Sequence, residues 1–247
     1  MAHGHQTPAA VTPSQIGTLR EFSLHAAIKA WCAAPGDRFE VPVDGYIVDV
    51  VRDDLLIEIQ TRRLGAQRAK VSALQERHAL RLVLPIARDK WIVRLSADGQ
   101  MRLSRRRSPR RGCIEELFAE LTGIPDLLAH PGTSLLVLLT QEEEILYQGK
   151  PMVGRRSWRR RGWSILDRQL LAMVEEHLFE TPRDLIRLLP TDLPSPFTTG
   201  DLAASATLPL RLAQQMAYCL HKMGILERVG RQGHAWLYTI ERESGRE

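Results

Sequence analysis

Apolar and polar residues alternate in short runs between residues 38 and 61, and this pattern predicts β-strands rather than helices. Strands are expected over Arg38–Val43, Gly45–Val51 and Leu55–Thr61, which are rich in Val, Ile and Leu. Asp53 and Asp54 separate the last two runs and fit a two-residue hairpin turn. The sequence therefore predicts three consecutive antiparallel strands.

The segments before and after these strands have apolar residues at helical spacing, and further strands follow. Helices are expected over Thr18–Cys32 and Ala66–His78. The apolar runs Leu80–Pro85 and Lys90–Leu95 predict two more strands, and Asp98-Gly99 predicts a turn into another hairpin strand. A helix over Cys113–Leu121, a helical turn at Asp126–Ala129 and a buried strand over Ser134–Leu139 extend this part, and Glu142, Glu143 and Glu144 are expected on the solvated surface.

The last third of the chain changes to mostly helical spacing and ends in a hairpin. Its order of helix, turn, helix and two strands resembles the winged helix–turn–helix fold, on the residues FTTGDLA and GILERVGRQGHAWLYTI. The expected helices are Ser164–Leu178, Thr181–Leu189, Gly200–Ser205 and Leu210–Gly224, and the expected strands are Ile225–Val229 and Ala235–Ile240.

Three polar residues interrupt the apolar hairpin strands. Glu58 and Gln60 lie two positions apart and are expected on one face, with Asp49 directly opposite Glu58 across the turn and on that same face. Opposed carboxylates repel each other, and carboxylates within apolar strands are costly to bury without a partner. A hard divalent cation, Mg²⁺ first, would compensate them; the alternative is a solvated pair at a sheet edge.

The residues Asp49 and Glu58-Ile59-Gln60, in the order helix, three antiparallel strands, helix, strand, resemble the PD-(D/E)xK nuclease superfamily over about residues 15–95. The resemblance implies a restriction-endonuclease-like α/β fold with a mixed sheet, and metal-dependent phosphodiester hydrolysis. It implies that Asp49, Glu58 and Glu21 bind Mg²⁺ or Mn²⁺. The family usually has Lys where this chain has Gln60, and Lys70 on the next helix is the expected replacement.

Basic side chains cluster near this motif and in two arginine-rich runs, 104–112 and 154–162, which are expected to be loops or mobile arms. Arginines neutralise phosphates, and an aromatic side chain among them can stack on a base. The alternative is a solvated linker. The expected nucleic-acid contacts are His25, which could instead reach the metal, and Arg62, Arg63, Arg105, Arg106, Arg107, Arg155, Arg156, Trp158 and Arg159.

The expected helix Leu210–Gly224 presents polar residues on the side opposite its apolar stripe. Gln and Arg can contact base edges, and Tyr can contact phosphate. The expected DNA contacts there are Arg211, Gln214, Gln215 and Tyr218, with Arg231 at the tip of the hairpin. Many winged helices bind protein instead, so that alternative stays open.

Composition supports a nucleic-acid partner. The 247 residues carry a formal charge of +5 and a pI of about 9.4. Three scattered cysteines, the absence of an apolar leader and the absence of a membrane-length apolar run predict a cytoplasmic protein. The expected organisation is a disordered N-terminus (1–14), a nuclease-like domain (15–150), a basic linker (151–163) and a winged helix (164–242).

The function expected from these patterns is a metal-dependent nuclease, in the first place a DNA endonuclease, that the winged helix and the arginine runs recruit to double-stranded DNA. A homodimer is compatible with this expectation. The principal alternative is a DNA-binding regulator whose nuclease fold does not cut, which Gln60 in place of Lys favours. An RNA-processing enzyme would differ in substrate alone.

Overall fold

A computed structural model describes residues 23–61, 63–148 and 162–241. The α-helices are α1 Ser23–Cys32, α2 Arg68–Gln75, α3 Leu117–Leu121, α4 Thr199–Ser205 and α5 Leu210–Lys222. The strands are β1 Arg38–Val43, β2 Tyr46–Arg52, β3 Leu55–Ile59, β4 Ala79–Leu95, β5 Arg102–Arg107, β6 Thr133–Gln148, β7 Trp163–Phe179, β8 Leu226–Gln232 and β9 Ala235–Ile240. Short 3₁₀ helices cover Leu64–Gln67, Ile114–Glu116, Leu127–Ala129 and Pro182–Leu188.

Seven strands form one mixed sheet in the order β1-β2-β3-β4-β6-β7, with β5 paired to the far half of β4. Strands β1, β2 and β3 are antiparallel neighbours, β3, β4 and β6 run parallel, and β7 returns antiparallel to β6. The mixed α/β class and the expected order of helix, three strands, helix and strand are confirmed. No helix in the described part of the chain is long and apolar enough to cross a membrane.

Alternating side chains give the sheet two apolar faces. On β2 and β3, Val50 and Ile57 belong to one cluster, and Val51 and Leu56 to the other. Helix α1 covers the first cluster, and we call this side the α1 face. Helices α2, α3 and α5 contribute to the second cluster, which we call the α2 face. The sheet is therefore the middle layer of an α/β/α arrangement.

The C-terminal elements pack against the α2 face through α3. The Cys219 thiol of α5 lies 3.7 Å from the carbonyl oxygen of Phe118, and both residues are fully buried in one continuous apolar cluster. Helix α4 begins with a capping box in which Thr198 and Asp201 satisfy each other's backbone N–H groups. Helices α4 and α5 and the β8–β9 hairpin therefore form in the expected order, joined to the sheet by a shared core.

The helix expected over Ser164–Leu178 is wrong, because this segment is strand β7. Its Leu, Met, Ala and Glu residues favour a helix locally. Strand β6 needs a partner along its outer edge, and β7 pairs with it from Leu135–Phe179 to Gln148–Trp163. Tertiary pairing therefore overrides local propensity, and residues 163–179 lie in the sheet rather than beside α5. The division into the ranges 15–150 and 164–242 otherwise stays a prediction.

Three further expectations about the middle of the chain are wrong. Strand β4 runs unbroken through Pro85, where two strands were expected. Arg105, Arg106 and Arg107 lie in strand β5 and not in a mobile arm. Glu142 and Glu144 are 4% and 3% exposed, where solvated surface was expected. The second arginine run and the expected disordered N-terminus lie outside the described residues.

Candidate functional site

The β2–β3 hairpin brings Asp49 and Glu58 together. Asp53 has a φ of 48°, as a tight turn requires, and the register pairs Arg52 with Leu55 and Val50 with Ile57. This register places Asp49 opposite Glu58, as expected, but the backbone ladder ends before this pair. Instead, side chains bridge the strand ends: Ile59 N–H donates to Asp49 Oδ2 at 2.8 Å, and Glu58 Oε1 lies 3.4 Å from Asp49 N.

Helix α1 supplies the partner of Asp49. His25 Nε2 lies 3.3 Å from Asp49 Oδ2, and both side chains are mostly buried. Burial opposes ionisation of Asp49, but the hydrogen bonds from His25 and the Ile59 backbone outweigh it and hold the pKa of the carboxyl below its ordinary value. Asp49 is therefore kept ionised at neutral pH.

Helix α2 supplies the partner of Glu58. Lys70 Nζ lies 2.6 Å from Glu58 Oε1 and donates to the Ile47 carbonyl oxygen at 2.5 Å. Burial and the nearby negative charge of Asp49 nevertheless raise the pKa of Glu58 to about 7. One lysine in contact with Glu58 thus leaves the pair of carboxylates short of positive charge.

Asp49 is contacted from α1 and Glu58 from α2, and these helices cover opposite faces of the sheet, so the expectation that both carboxylates share one face is wrong. The two residues approach each other where the β2–β3 ladder ends. Gln60, directly after β3, is 8% exposed, and its backbone N–H donates to Val83 O at 2.8 Å. Glu21 lies outside the described residues. Within residues 23–61, 63–148 and 162–241, no group of three His, Cys, Asp or Glu side chains has the spacing of a metal site.

A close backbone crossing fixes the segment that leads into α2. An added Cβ on Gly123 would lie 2.5 Å from the Cα of Gly65, so position 123 requires glycine, while a Cβ on Gly65 would make a tight contact of 3.3 Å with Gly123. Glu120 of α3 accepts a hydrogen bond from Leu64 N–H at 3.1 Å. Helix α3 therefore fixes the start of α2, and with it the position of Lys70.

The basic residues expected to contact nucleic acid fall into different settings. Arg105 pairs with Glu143 at 2.7 Å and Arg107 with Asp89 at 2.5 Å, so these two arginines already have carboxylate partners within the sheet. Arg63 and Arg106 are exposed. The others expected on the linker and before α2 lie outside the described residues: Arg62, Arg155, Arg156, Trp158 and Arg159.

Helix α5 has the predicted outward face: Arg211, Gln214 and Tyr218 are exposed and Gln215 is half-buried. On the following hairpin, Arg231 lies 3.9 Å from the centre of the Trp236 ring. Arg228 stacks on the same ring at 4.7 Å. Sequence reasoning missed Arg228 and Trp236, although two arginines and an aromatic residue on paired strands were a readable signal.

These features define an α/β protein with an acidic pair on strands β2 and β3 of a mixed sheet, and with a helix–hairpin unit that packs against the α2 face of that sheet and exposes basic side chains. The chain belongs to the family described as a domain of unknown function, DUF8091, whose model matches residues 22–180. That match ends one residue after strand β7.

The chain is also similar to an uncharacterized protein of Treponema pallidum (strain Nichols). The two are 31% identical over 233 residues, which cover 92% of this chain and 88% of the relative. Because 92% of this chain is covered, the similarity extends beyond the sheet through α4 and α5. No solved structure matches the chain.

Proposed function

We propose that this protein is a metal-dependent nuclease that hydrolyses phosphodiester bonds in DNA, with Asp49, Glu58 and Lys70 at its centre. The contact of Glu58 with Lys70 and with the backbone N–H of Asp49, together with the effect of the Asp49 charge on Glu58, carries the proposal. Two carboxylates and a lysine at the end of a hairpin within a mixed sheet are the constellation that the PD-(D/E)xK resemblance implies. Lys70 comes from the helix, at the place expected for a replacement of the usual lysine.

The donor set fits a hard divalent cation. Both carboxylates are largely buried, and the raised pKa of Glu58 means that its negative charge is poorly compensated. A cation held between Asp49 and Glu58 would supply that compensation, and oxygen ligands suit Mg²⁺ or Mn²⁺. Glu21, outside the described residues, remains a proposed further ligand. A bound divalent ion would lower the pKa of a water molecule and stabilise developing negative charge.

The protein's own side chains have separate tasks in this proposal. His25 holds Asp49 ionised and oriented through its hydrogen bond. Gln60 orients the attacking water, because an amide can both donate and accept a hydrogen bond. Lys70 contacts the charge that develops on the phosphate during the reaction.

Recruitment of the substrate is assigned to the C-terminal elements. A winged helix places its recognition helix in the major groove and its hairpin beside the backbone. The exposed residues of α5 and the stacked pair of Arg228 and Arg231 fit these two contacts, because both arginines lack a carboxylate within ion-pair distance in the described part of the chain. Duplex DNA is therefore the proposed substrate.

The test is digestion of plasmid, linear duplex, single-stranded DNA and RNA by the purified chain with Mn²⁺ or Mg²⁺. Cleavage of DNA by the wild type, and not by Glu58→Gln, supports the proposal. Equal DNA binding by both proteins would show that the variant folds. Absence of cleavage of every substrate with either ion contradicts it, and cleavage of RNA alone would replace the DNA assignment.

A regulator that binds DNA without cutting it is the second candidate. The ion pair of Lys70 with Glu58 and the glutamine at position 60 favour it, since both differ from the usual arrangement of the resembled family. Arg211→Ala with Gln214→Ala tests the DNA-binding part. Loss of duplex affinity in that variant, together with no cleavage by the wild type, would select the regulator.

A further inference from the structure

The α1 face has a second polar feature away from the carboxylate pair. Past the C-terminal end of α1, the sheet is open over strands β3, β4 and β6, and a groove of about 340 Å³ lies there. Its floor is aliphatic, from Ile57, Val83 and Leu136. The Trp31 ring, 42% exposed, forms part of its wall.

Two arginines line this groove, and their partners differ. Arg52 forms a two-pronged ion pair with Asp37, at 2.9 and 2.8 Å, and also donates to the Cys32 carbonyl oxygen at 2.6 Å. Its charge is therefore compensated. Arg81 donates from Nε to Ser134 Oγ at 3.1 Å. No carboxylate of residues 23–61, 63–148 or 162–241 lies within ion-pair distance of it.

The position of Arg81 makes this unpaired charge unusual. It lies on β4, between Ile57 of β3 and Ser134 of β6, within the parallel part of the sheet. Strands there are normally apolar on both faces because helices cover them. A half-buried guanidinium without a carboxylate partner is costly unless it meets an anion from outside. Its terminal nitrogens provide the planar, forked donors that fit phosphate oxygens.

We propose that this groove is a binding site for a nucleotide phosphate, with Arg81 on the phosphate and Trp31 against the base. The volume lies at the lower end of the range of small-ligand pockets, which is too large for a lone small anion and suits one nucleotide. An exposed indole beside an aliphatic floor accepts a planar base by stacking. The choice of a nucleotide over another anion rests on the proposed nuclease function, but the anion site itself does not.

The groove does not involve Glu58, because Ile57 points to the α1 face and into the groove, while the adjacent Glu58 bonds to Lys70 from the opposite face. Asp49 contacts His25 on the α1 side, and it is not among the residues that line the groove. The nucleotide has two possible sources: a free mononucleotide, or the 5′-phosphorylated terminal nucleotide of a DNA strand. Both present the same phosphate monoester and base.

The experiment measures binding of dAMP to the full chain by calorimetry without divalent ions. The wild type should bind dAMP. Arg81→Met should weaken binding about 10–100-fold through loss of a charge-assisted hydrogen bond. Trp31→Ala should weaken it about 3–10-fold. Arg77→Met is the matched control, because Arg77 is an exposed arginine that follows α2 on the other side of the sheet, and it should leave binding unchanged.

Two oligonucleotides of one sequence, with a 5′-phosphate or a 5′-hydroxyl, separate the sources. Tighter binding of the phosphorylated strand that disappears in Arg81→Met assigns the groove to strand ends. Equal binding of both strands, with dAMP binding still dependent on Arg81, assigns it to free nucleotides. The proposal is overturned if wild type binds neither dAMP nor the phosphorylated strand, or if Arg81→Met and Arg77→Met have the same effect. A protein that binds dAMP through Arg81 and cuts no DNA would keep this site and lose the nuclease proposal.

Discussion

Asp89 and the pair of Asp49 and Glu58 are buried acidic side chains in the same sheet, but their electrostatic surroundings differ. Asp89 in β4 is 4% exposed and has Arg107, Arg111 and Arg88 at 2.5, 3.5 and 3.8 Å. Asp49 and Glu58 are two carboxylates in contact with one lysine and one histidine. The hydrogen bond from Arg107 and the charges around it hold the pKa of Asp89 below its ordinary value, while the pKa of Glu58 is raised to about 7.

The difference separates a structural acid from a candidate functional one. Around Asp89, positive charge exceeds negative charge, so the acid serves to hold the arginines of β5 and its neighbours against β4. At the β2–β3 hairpin, burial and the nearby charge of Asp49 outweigh the stabilisation of ionised Glu58 by Lys70, and a bound cation would favour the ionised form. Buried carboxyl groups with a raised pKa, such as Glu58, are typical of functional sites.

The largest effect is expected from Glu58→Gln, which keeps the size of the side chain and removes its charge. Cleavage should fall about 10³-fold or more, because a metal ion contributes several kcal/mol to stabilising the transition state. Initial rates on a plasmid substrate with Mn²⁺ measure this, with duplex binding as the control. A variant that cuts at the wild-type rate would remove Glu58 from the chemistry.

Lys70→Met should reduce cleavage about 100-fold, because it removes one cation from the place where charge develops. Arg68→Met on the same helix is the control, since Arg68 is exposed, and its rate should stay near that of the wild type. Lys70→Met should also lower the melting temperature, because it removes the partner of a buried carboxylate, so rates are compared at a temperature at which both variants are folded. If both reduce cleavage equally, the lysine acts through general attraction of DNA and not at the reaction centre.

The raised pKa of Glu58 predicts a specific pH dependence of stability. The Glu58 carboxyl keeps its proton up to a pH of about 7 in the folded protein but only up to about 4.5 in the unfolded chain. Protonation of Glu58 therefore contributes fully to the free energy of unfolding below pH 4.5, and this contribution is lost as the pH rises through 7. The difference of 7 − 4.5 = 2.5 pKa units corresponds to a change in the free energy of unfolding on the order of 3 kcal/mol. Denaturant unfolding of wild type and Glu58→Gln from pH 4.5 to 8 measures the difference; parallel curves would contradict it.

The smallest effect is expected at Asp89. Asp89→Asn leaves three arginines around a neutral group and should lower the melting temperature, but the exposed ends of Arg107 and Arg111 let solvent screen the loss. The pH dependence of this stabilisation is opposite to that of Glu58. Because the pKa of Asp89 is lowered, ionised Asp89 stabilises the folded protein at pH values above its ordinary pKa of 3.8, and this stabilisation is lost in stronger acid. Cleavage by Asp89→Asn should match the wild type, and a loss of cleavage would erase the contrast between the two groups.

The hairpin and the C-terminal elements were predictable because local signals determine them. Two aspartates at a tight turn, and an amphipathic α5 with Leu212, Met216 and Leu220 inward, are patterns of neighbouring residues. Strand β7 was not predictable, because its residues favour a helix and only pairing with β6 makes it a strand.

The candidate site shows the same division. Asp49 and Glu58 were identified from their place on adjacent strands, and Lys70 from the resemblance to a nuclease family. The end of the β2–β3 ladder before Asp49 and the hydrogen bond from His25 depend on how α1 docks on the sheet. The ion pairs of Arg105 and Arg107 depend on the alignment of β5 with β4 and β6, since their acidic partners are 38 and 18 residues away along the chain.

The central claim is that Asp49 and Glu58 bind a divalent cation, and titration of the purified protein with Mn²⁺ by calorimetry tests it most directly. The account predicts one ion per chain for the wild type at pH 8, weaker binding at pH 6 as Glu58 takes up its proton, and loss of binding in both Asp49→Asn and Glu58→Gln. Asp89→Asn should bind Mn²⁺ like the wild type. Absence of Mn²⁺ binding by the wild type, or binding that survives both substitutions at the β2–β3 rim, would contradict the account.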